Sequence, residues 1–133
     1  MTLPEDSIRR LLRARDAIHA RYAESLRIED LAREAALSPF HFLRLFRSAF
    51  GETPHRYLTR VRIEAAKRLL LLDAPVTEVC FEVGFQSLGS FSALFSRAVG
   101  SPPSAFRRRA HHFAFYREQV YIPHCYLQAF SQF

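Results

Sequence analysis

The sequence predicts an all-α fold: two helix-turn-helix units joined by a long central helix. Three observations carry this. The chain repeats itself, its apolar residues recur at three- and four-residue steps, and Ser, Pro and Gly stand where helices should start and stop. The stretch IEDLAREAALSPFHFLRLFRSAFGETPHRY, Ile28 to Tyr57, is restated as VTEVCFEVGFQSLGSFSALFSRAVGSPPSAF, Val76 to Phe106. Ile28, Leu31, Glu34 and Leu37 fall on Val76, Val79, Glu82 and Phe85 at an offset of 48 residues. Phe42, Leu45, Phe46, Gly51, Pro54 and Tyr57 then fall on Phe91, Leu94, Phe95, Gly100, Pro103 and Phe106 at an offset of 49. The single inserted residue marks a turn inside each unit.

Taken in order, Pro4 to about Tyr22 places Ile8, Leu11, Leu12, Arg15, Ile18 and Tyr22 on one face, the pattern of an amphipathic supporting helix. Pro4, Glu5 and Asp6 suit the positive end of its dipole. A short helix from about Ile28 to Ala35 turns Ile28, Leu31, Ala32 and Ala35 inward. The turn at Ala36 and Leu37 calls for a left-handed residue, and the second copy carries Gly84 in that place. Ser38 offers an N-cap with Pro39 at the first helical position, and Ser87 caps the copy.

The helix from Pro39 to about Phe50 is expected to bury Phe42, Leu45, Phe46 and Ala49, and its copy Phe91, Leu94, Phe95 and Ala98. Their outer faces differ: Phe40, Leu43, Arg44 and Arg47 in the first copy, Gly89, Ser92, Ala93 and Ser96 in the second. Gly51 and Gly100 stop these helices. Pro54 to Leu72 then gives the central helix, with Leu58, Val61, Ala65, Leu69 and Leu72 on one face, before Asp73, Ala74 and Pro75 break it. A last helix runs from Pro103 to about Arg109, where three arginines either complement the helix dipole or clamp phosphate. The resulting division is residues 1–109 as one domain, with unit one at 5–53, the joining helix at 54–72 and unit two at 76–109. Residues 110–133 form an aromatic-rich tail with no partner in the repeat.

A chain of 133 residues, 49% hydrophobic, can bury a core as one domain or as two small ones sharing an element. Its net charge of +6 rests on 18 Arg against the single Lys67. That balance suits phosphate and base-edge contacts, and it is also what a GC-rich genome would give. The two cysteines, Cys80 and Cys125, imply no disulfide framework, and Cys80 aligns with Ala32 as a small core residue. With no signal-peptide core and no apolar run long enough for a bilayer, a cytoplasmic protein without a membrane partner is expected. His111, His112, His124 and Cys125 match no zinc spacing, and His41 and His55 lack a nucleophile or paired carboxylate. No Gly-rich phosphate loop is present either, so no enzyme, metal or cofactor is expected.

The runs LAREAALSPFHFLRLFRSAFGETPHRYL and VCFEVGFQSLGSFSALFSRAVGSPPSAFR, each with a Gly-x-x-Pro-x-x-aromatic signature, resemble the DNA-binding domain of the AraC/XylS family of bacterial transcription regulators over roughly Ser7 to Arg109. The resemblance implies about seven helices, two recognition helices in consecutive major grooves of double-stranded DNA, and one chain able to bind an asymmetric site as a monomer. The central helix, roughly 28 Å long at 1.5 Å per residue, is comparable with the ~34 Å between major-groove faces one turn apart.

By that match the DNA-facing positions of the first unit are Ser38, Pro39, Phe40, His41, Leu43, Arg44 and Arg47. Those of the second are Ser87, Leu88, Gly89, Ser90, Ser92, Ala93, Ser96 and Arg97, with Arg107 beyond them. Arg44 can bond bidentately to guanine, or else serve as a phosphate contact or surface charge. Phe40 and Leu43, lacking donors, would meet thymine methyls or sugars, or else a neighbouring helix. Arg56, Arg60, Arg62 and Arg107 to Arg109 are expected to hold phosphates. The second unit carries Ala93 where the first has Arg44, so it should position more than it reads. Charge agrees: residues 38–68 hold seven basic and two acidic residues, residues 76–106 one basic and two acidic.

Two other readings stand beside this one. In the first, a degenerate second unit and an aromatic tail make an interaction module for RNA polymerase or another regulator. In the second, the chain is one piece of a regulator whose sensor domain lies elsewhere.

Overall fold

The computed structural model describes residues 2–119, and side-chain surroundings for residues 2–112. It contains seven helices and, among the described residues, no strand: α1 (Glu5–Arg21), α2 (Ile28–Glu34), α3 (Pro39–Phe50), α4 (Pro54–Leu71), α5 (Val76–Glu82), α6 (Leu88–Val99) and α7 (Pro103–Gln119). The chain divides into two compact units, residues 1–64 and 65–133, and the division falls inside α4.

In the first unit Leu11, Ala14 and Ile18 of α1 close over Leu31, Ala32 and Ala35, over Phe42 and Phe46 of α3, and over Tyr57, Leu58 and Val61 of α4. The aromatic rings interlock: Phe42 meets Phe46 at 5.5 Å, and Phe46 meets Tyr57 edge-on at 5.6 Å. The Tyr57 hydroxyl lies 2.8 Å from His19 Nε2. Helix ends are stitched by side chains. The Asp30 carboxylate accepts from the Arg27 N–H at the start of α2, and Arg10 donates to the Ala36 carbonyl in the turn. Arg62 spans 40 positions of sequence to donate to the Tyr22 carbonyl at 2.7 Å, and also to that of Glu24 at 2.8 Å. Burial pulls its guanidinium below the ordinary arginine value.

The second unit repeats this core with different residues. Val79, Cys80, Val83, Phe85, Phe91, Phe95, Phe106 and Ala110 are buried, and Phe95 meets Phe106 at 5.5 Å as Phe46 meets Tyr57. Cys80 is fully buried, as its alignment with Ala32 implied, and burial pushes its thiol up and away from reactivity. At the end of α4, Arg107 of α7 donates to the Asp73 carbonyl at 3.1 Å and pairs with its carboxylate at 3.1 Å.

Four expectations change. Ala49 and Ala98 are exposed, and the half-buried places one residue later are filled by Phe50 and Val99 in both copies. Phe50 packs on Phe46 at 4.5 Å and on Tyr57 at 5.8 Å, contacts that a methyl group is too short to make. Leu72 is 78% exposed, since α4 ends one residue before it, while Ile63, Ala66, Lys67 and Leu70 are buried instead. Ile8 is 41% exposed, and Ala14, with no exposure, takes the place in the core. Finally, α7 does not stop near Arg109 but runs to Gln119, so the first part of the supposed tail is helical. Residues 120–133, with His124 and Cys125, lie outside the described residues.

Candidate nucleic-acid interface

The outer faces of α3 and α6 are built by the same local devices. Ser38 Oγ accepts from the His41 N–H at 3.3 Å, and Ser87 Oγ accepts from the Ser90 N–H at 3.3 Å. Both helices end on a left-handed glycine, Gly51 at φ 75° and Gly100 at φ 91°. Inner anchors match as well: Phe42 and Phe46 in α3, Phe91 and Phe95 in α6, are each wholly buried. Fixed by caps and anchors, each helix presents one definite face to solvent.

On α3 that face is long, apolar and cationic. Ser38, Pro39, His41, Arg44 and Arg47 are exposed, Phe40 is 72% exposed and Leu43 is 37% exposed. The Arg44 guanidinium lies 5.9 Å from the centre of the Phe40 ring. Among the described residues no carboxylate pairs with Arg44 or Arg47, so both guanidiniums keep their donors available.

On α6 the face is short. Ser87, Leu88, Gly89, Ser90, Ala93 and Arg97 are exposed, Ser92 and Ser96 half-buried. The Ser96 hydroxyl is spent within the helix, donating to the Ser92 carbonyl at 2.7 Å. A Cβ added at Gly89 would meet only Ser87 Oγ at 3.7 Å, so nothing in the unit demands glycine there.

The arginines expected on phosphate divide into two groups. Arg62 is committed to two main-chain carbonyls and Arg107 to Asp73; Arg60 lies over the Tyr57 ring and donates to Glu52 at 2.9 Å. Arg109 donates to Ser101 Oγ. Arg56 and Arg108 are exposed and, among the described residues, without an ion pair. The sequence missed the Arg62 role because its target is loop carbonyls far off in the chain, which leave no pattern. No group of His, Cys, Asp and Glu suited to a metal occurs among the described residues, and none of their helices is long and apolar enough to cross a membrane.

A family model described as a helix-turn-helix domain matches residues 31–109. Bacillus subtilis holds a relative named "Uncharacterized HTH-type transcriptional regulator YdeC", 37% identical over 94 residues, covering 68% of this chain and 32% of that protein. The chain thus spans about a third of the length of the curated relatives it matches. Among solved structures, the DNA-binding domain of AdpA, a global transcriptional factor in complex with a target DNA, is 34% identical with a TM-score of 0.71, over 74% of this chain and 90% of that one. An AraC-type transcriptional regulator from Chromobacterium violaceum is 25% identical with a TM-score of 0.72, over 78% of this chain and 94% of that one. All three are named as transcriptional regulators or factors, and the two solved structures are named for a DNA-binding domain. With two capped, anchored helices facing solvent in a duplicated helical frame, the chain belongs to the AraC-type family of helix-turn-helix transcriptional regulators.

Proposed function

We propose that this chain binds double-stranded DNA sequence-specifically through α3 and α6, one recognition helix in each of two successive major grooves, with the first unit supplying most of the specificity. The observation that carries the asymmetry is the contrast of the two outer faces. Arg44 and Arg47 on α3 keep free donors, whereas α6 has Ala93 at the Arg44 position and a Ser96 hydroxyl already bonded to Ser92. Arg44 reads guanine through O6 and N7, a contact that discriminates by about 1–3 kcal/mol. The second helix, with Leu88, Ser90 and Arg97 at its face, sets register on the backbone and senses groove shape. The chain works as a monomer on an asymmetric site, in the cytoplasm where that DNA is.

Selection of binding sequences from random duplexes, at stated salt, tests this. The expected product is a box with strong base preferences and, about one helical turn away, a weaker one. Two boxes of equal information would overturn the asymmetry, and recovery of no motif would overturn the function. The second outcome would favour a protein-interaction role, for example toward RNA polymerase, for which Phe81 at 55% exposure and Leu72 at 78% are the supporting residues.

A further inference from the structure

Phe40 has no folding reason to be where it is. It sits in the first turn of α3 with 72% of its surface exposed, and its only ring contact among the described residues is the Arg44 guanidinium, 5.9 Å away. Leu43, 37% exposed, lies on the same side one turn on. An apolar ring and an apolar branch thus flank Arg44, one of the two long donors of the outer face.

From this arrangement we infer that α3 reads a two-base unit, a guanine beside a pyrimidine bearing a 5-methyl group, and that it accepts 5-methylcytosine in place of thymine. The inference rests on the DNA-binding reading above. In the major groove a guanine offers two acceptors that fit the arginine fork, while the only apolar feature any base presents there is a methyl at C5. Neighbouring bases are about 3.4 Å apart along a strand. That separation is within the span of a guanidinium and the ring it lies over, so both can be engaged at once. Phe40 then has two roles: it covers the methyl, and it holds Arg44 over its face, lowering the freedom the arginine must lose on binding guanine.

What distinguishes this from ordinary thymine contact is that the methyl, not the base, is recognised. Thymine and 5-methylcytosine carry it, whereas uracil and cytosine do not. The second unit supplies an internal control, because Gly89, Ser92 and Ala93 replace Phe40, Leu43 and Arg44 there and offer neither ring nor long donor. A regulator built this way would respond to cytosine methylation in one half of its site only.

The test uses the full chain and the site recovered by selection. Duplexes are compared that carry thymine, uracil, cytosine or 5-methylcytosine at each pyrimidine flanking the guanine whose preference Arg44→Ala abolishes. The expected result is tight binding to thymine and 5-methylcytosine and about fourfold weaker binding to uracil and cytosine, the value of one buried methyl. Phe40→Ala, and separately Leu43→Ala, should shrink the ratio of methylated to unmethylated binding toward one, whatever either does to overall affinity. Both positions are solvent-facing, and a retained helical spectrum confirms the fold. Equal binding of thymine and uracil, or a methyl ratio that survives Phe40→Ala, overturns the inference while leaving the DNA-binding function standing. Failure to recover any motif overturns both.

Discussion

Ala36 and Gly84 stand at the same point of the two repeats and share a left-handed backbone, at φ 54° and 102°. Each follows a short helix and closes it by the same pair of bonds. The Leu37 N–H reaches the Ala32 carbonyl at 2.9 Å and the Phe85 N–H reaches that of Cys80 at 3.1 Å, with Ala36 and Gly84 donating one turn back to Arg33 and Phe81. The turn geometry is therefore imposed by the unit and not by the residue. Only in the second unit does the residue suit it.

The consequence is a pair of opposite mutational effects. An L-residue in this conformation costs about 1–2 kcal/mol, and a glycine there forfeits about 0.4–1 kcal/mol through the freer unfolded chain. Ala36→Gly should stabilise the first unit by about 0.5–1 kcal/mol, and Gly84→Ala should destabilise the second by a similar amount. Urea denaturation of both variants measures this, and a loss of stability in Ala36→Gly would show that the Arg10 contact to its carbonyl depends on the methyl-bearing backbone.

Arg62 is held by the fold, unlike the exposed arginines proposed to meet DNA. Its guanidinium, half-buried, donates to the carbonyls of Tyr22 and Glu24 at the end of α1. Hydrogen bonds from a charged group contribute about 1.5–3 kcal/mol each, and partial solvent exposure brings the pair toward the lower figure. Arg62→Ala should cost the first unit about 2 kcal/mol of stability. Measured below its melting range, the variant should show an unchanged slope of log affinity against log salt. A slope reduced by about one would put Arg62 on a phosphate.

Arg47 and Arg56 should behave the other way. Both are exposed, and among the described residues neither has a carboxylate partner. Replacing either by alanine should leave stability within about 0.5 kcal/mol. It should weaken binding to all sequences alike and lower the salt slope by about 0.9 for each phosphate left without its arginine. Arg44→Ala should differ from both by losing preference at one or two base positions. Binding isotherms on the selected site and on random duplex, at several salt concentrations, resolve the three.

How much of this was legible in the sequence depends on how local the cause is. Caps, stops and anchors were, because Ser38, Gly51, Phe42 and Phe46 act on neighbours within a turn or two, and the repeat states each of them twice. The register at the end of α3 was not: counting steps of three favours Ala49, whereas the bulk of Tyr57 arriving from α4 selects Phe50. Three arginines at 107–109 looked like the negative end of a helix, yet Arg107 is turned to Asp73 and α7 continues to Gln119. The outer-face residues were visible as positions but not as an arrangement, since only the folded helix brings Phe40 against Arg44.

The weak second face can be rebuilt. Ala93 is exposed on α6 at the position matching Arg44, and a Cβ added at Gly89, which matches Phe40, would meet only Ser87 Oγ, at 3.7 Å. If the second unit positions more than it reads, as proposed, and the poverty of that face is the cause, then Ala93→Arg should create a guanine preference worth about 1–3 kcal/mol at one base of the weaker box. The first box should be unaffected. A general rise in affinity with no new base preference would mean that the arginine reaches phosphate only, and that α6 lies too far from the base edges to be converted by one residue. Repeating the selection with the variant distinguishes the two, because a new base preference appears in the recovered sequences and a phosphate contact does not.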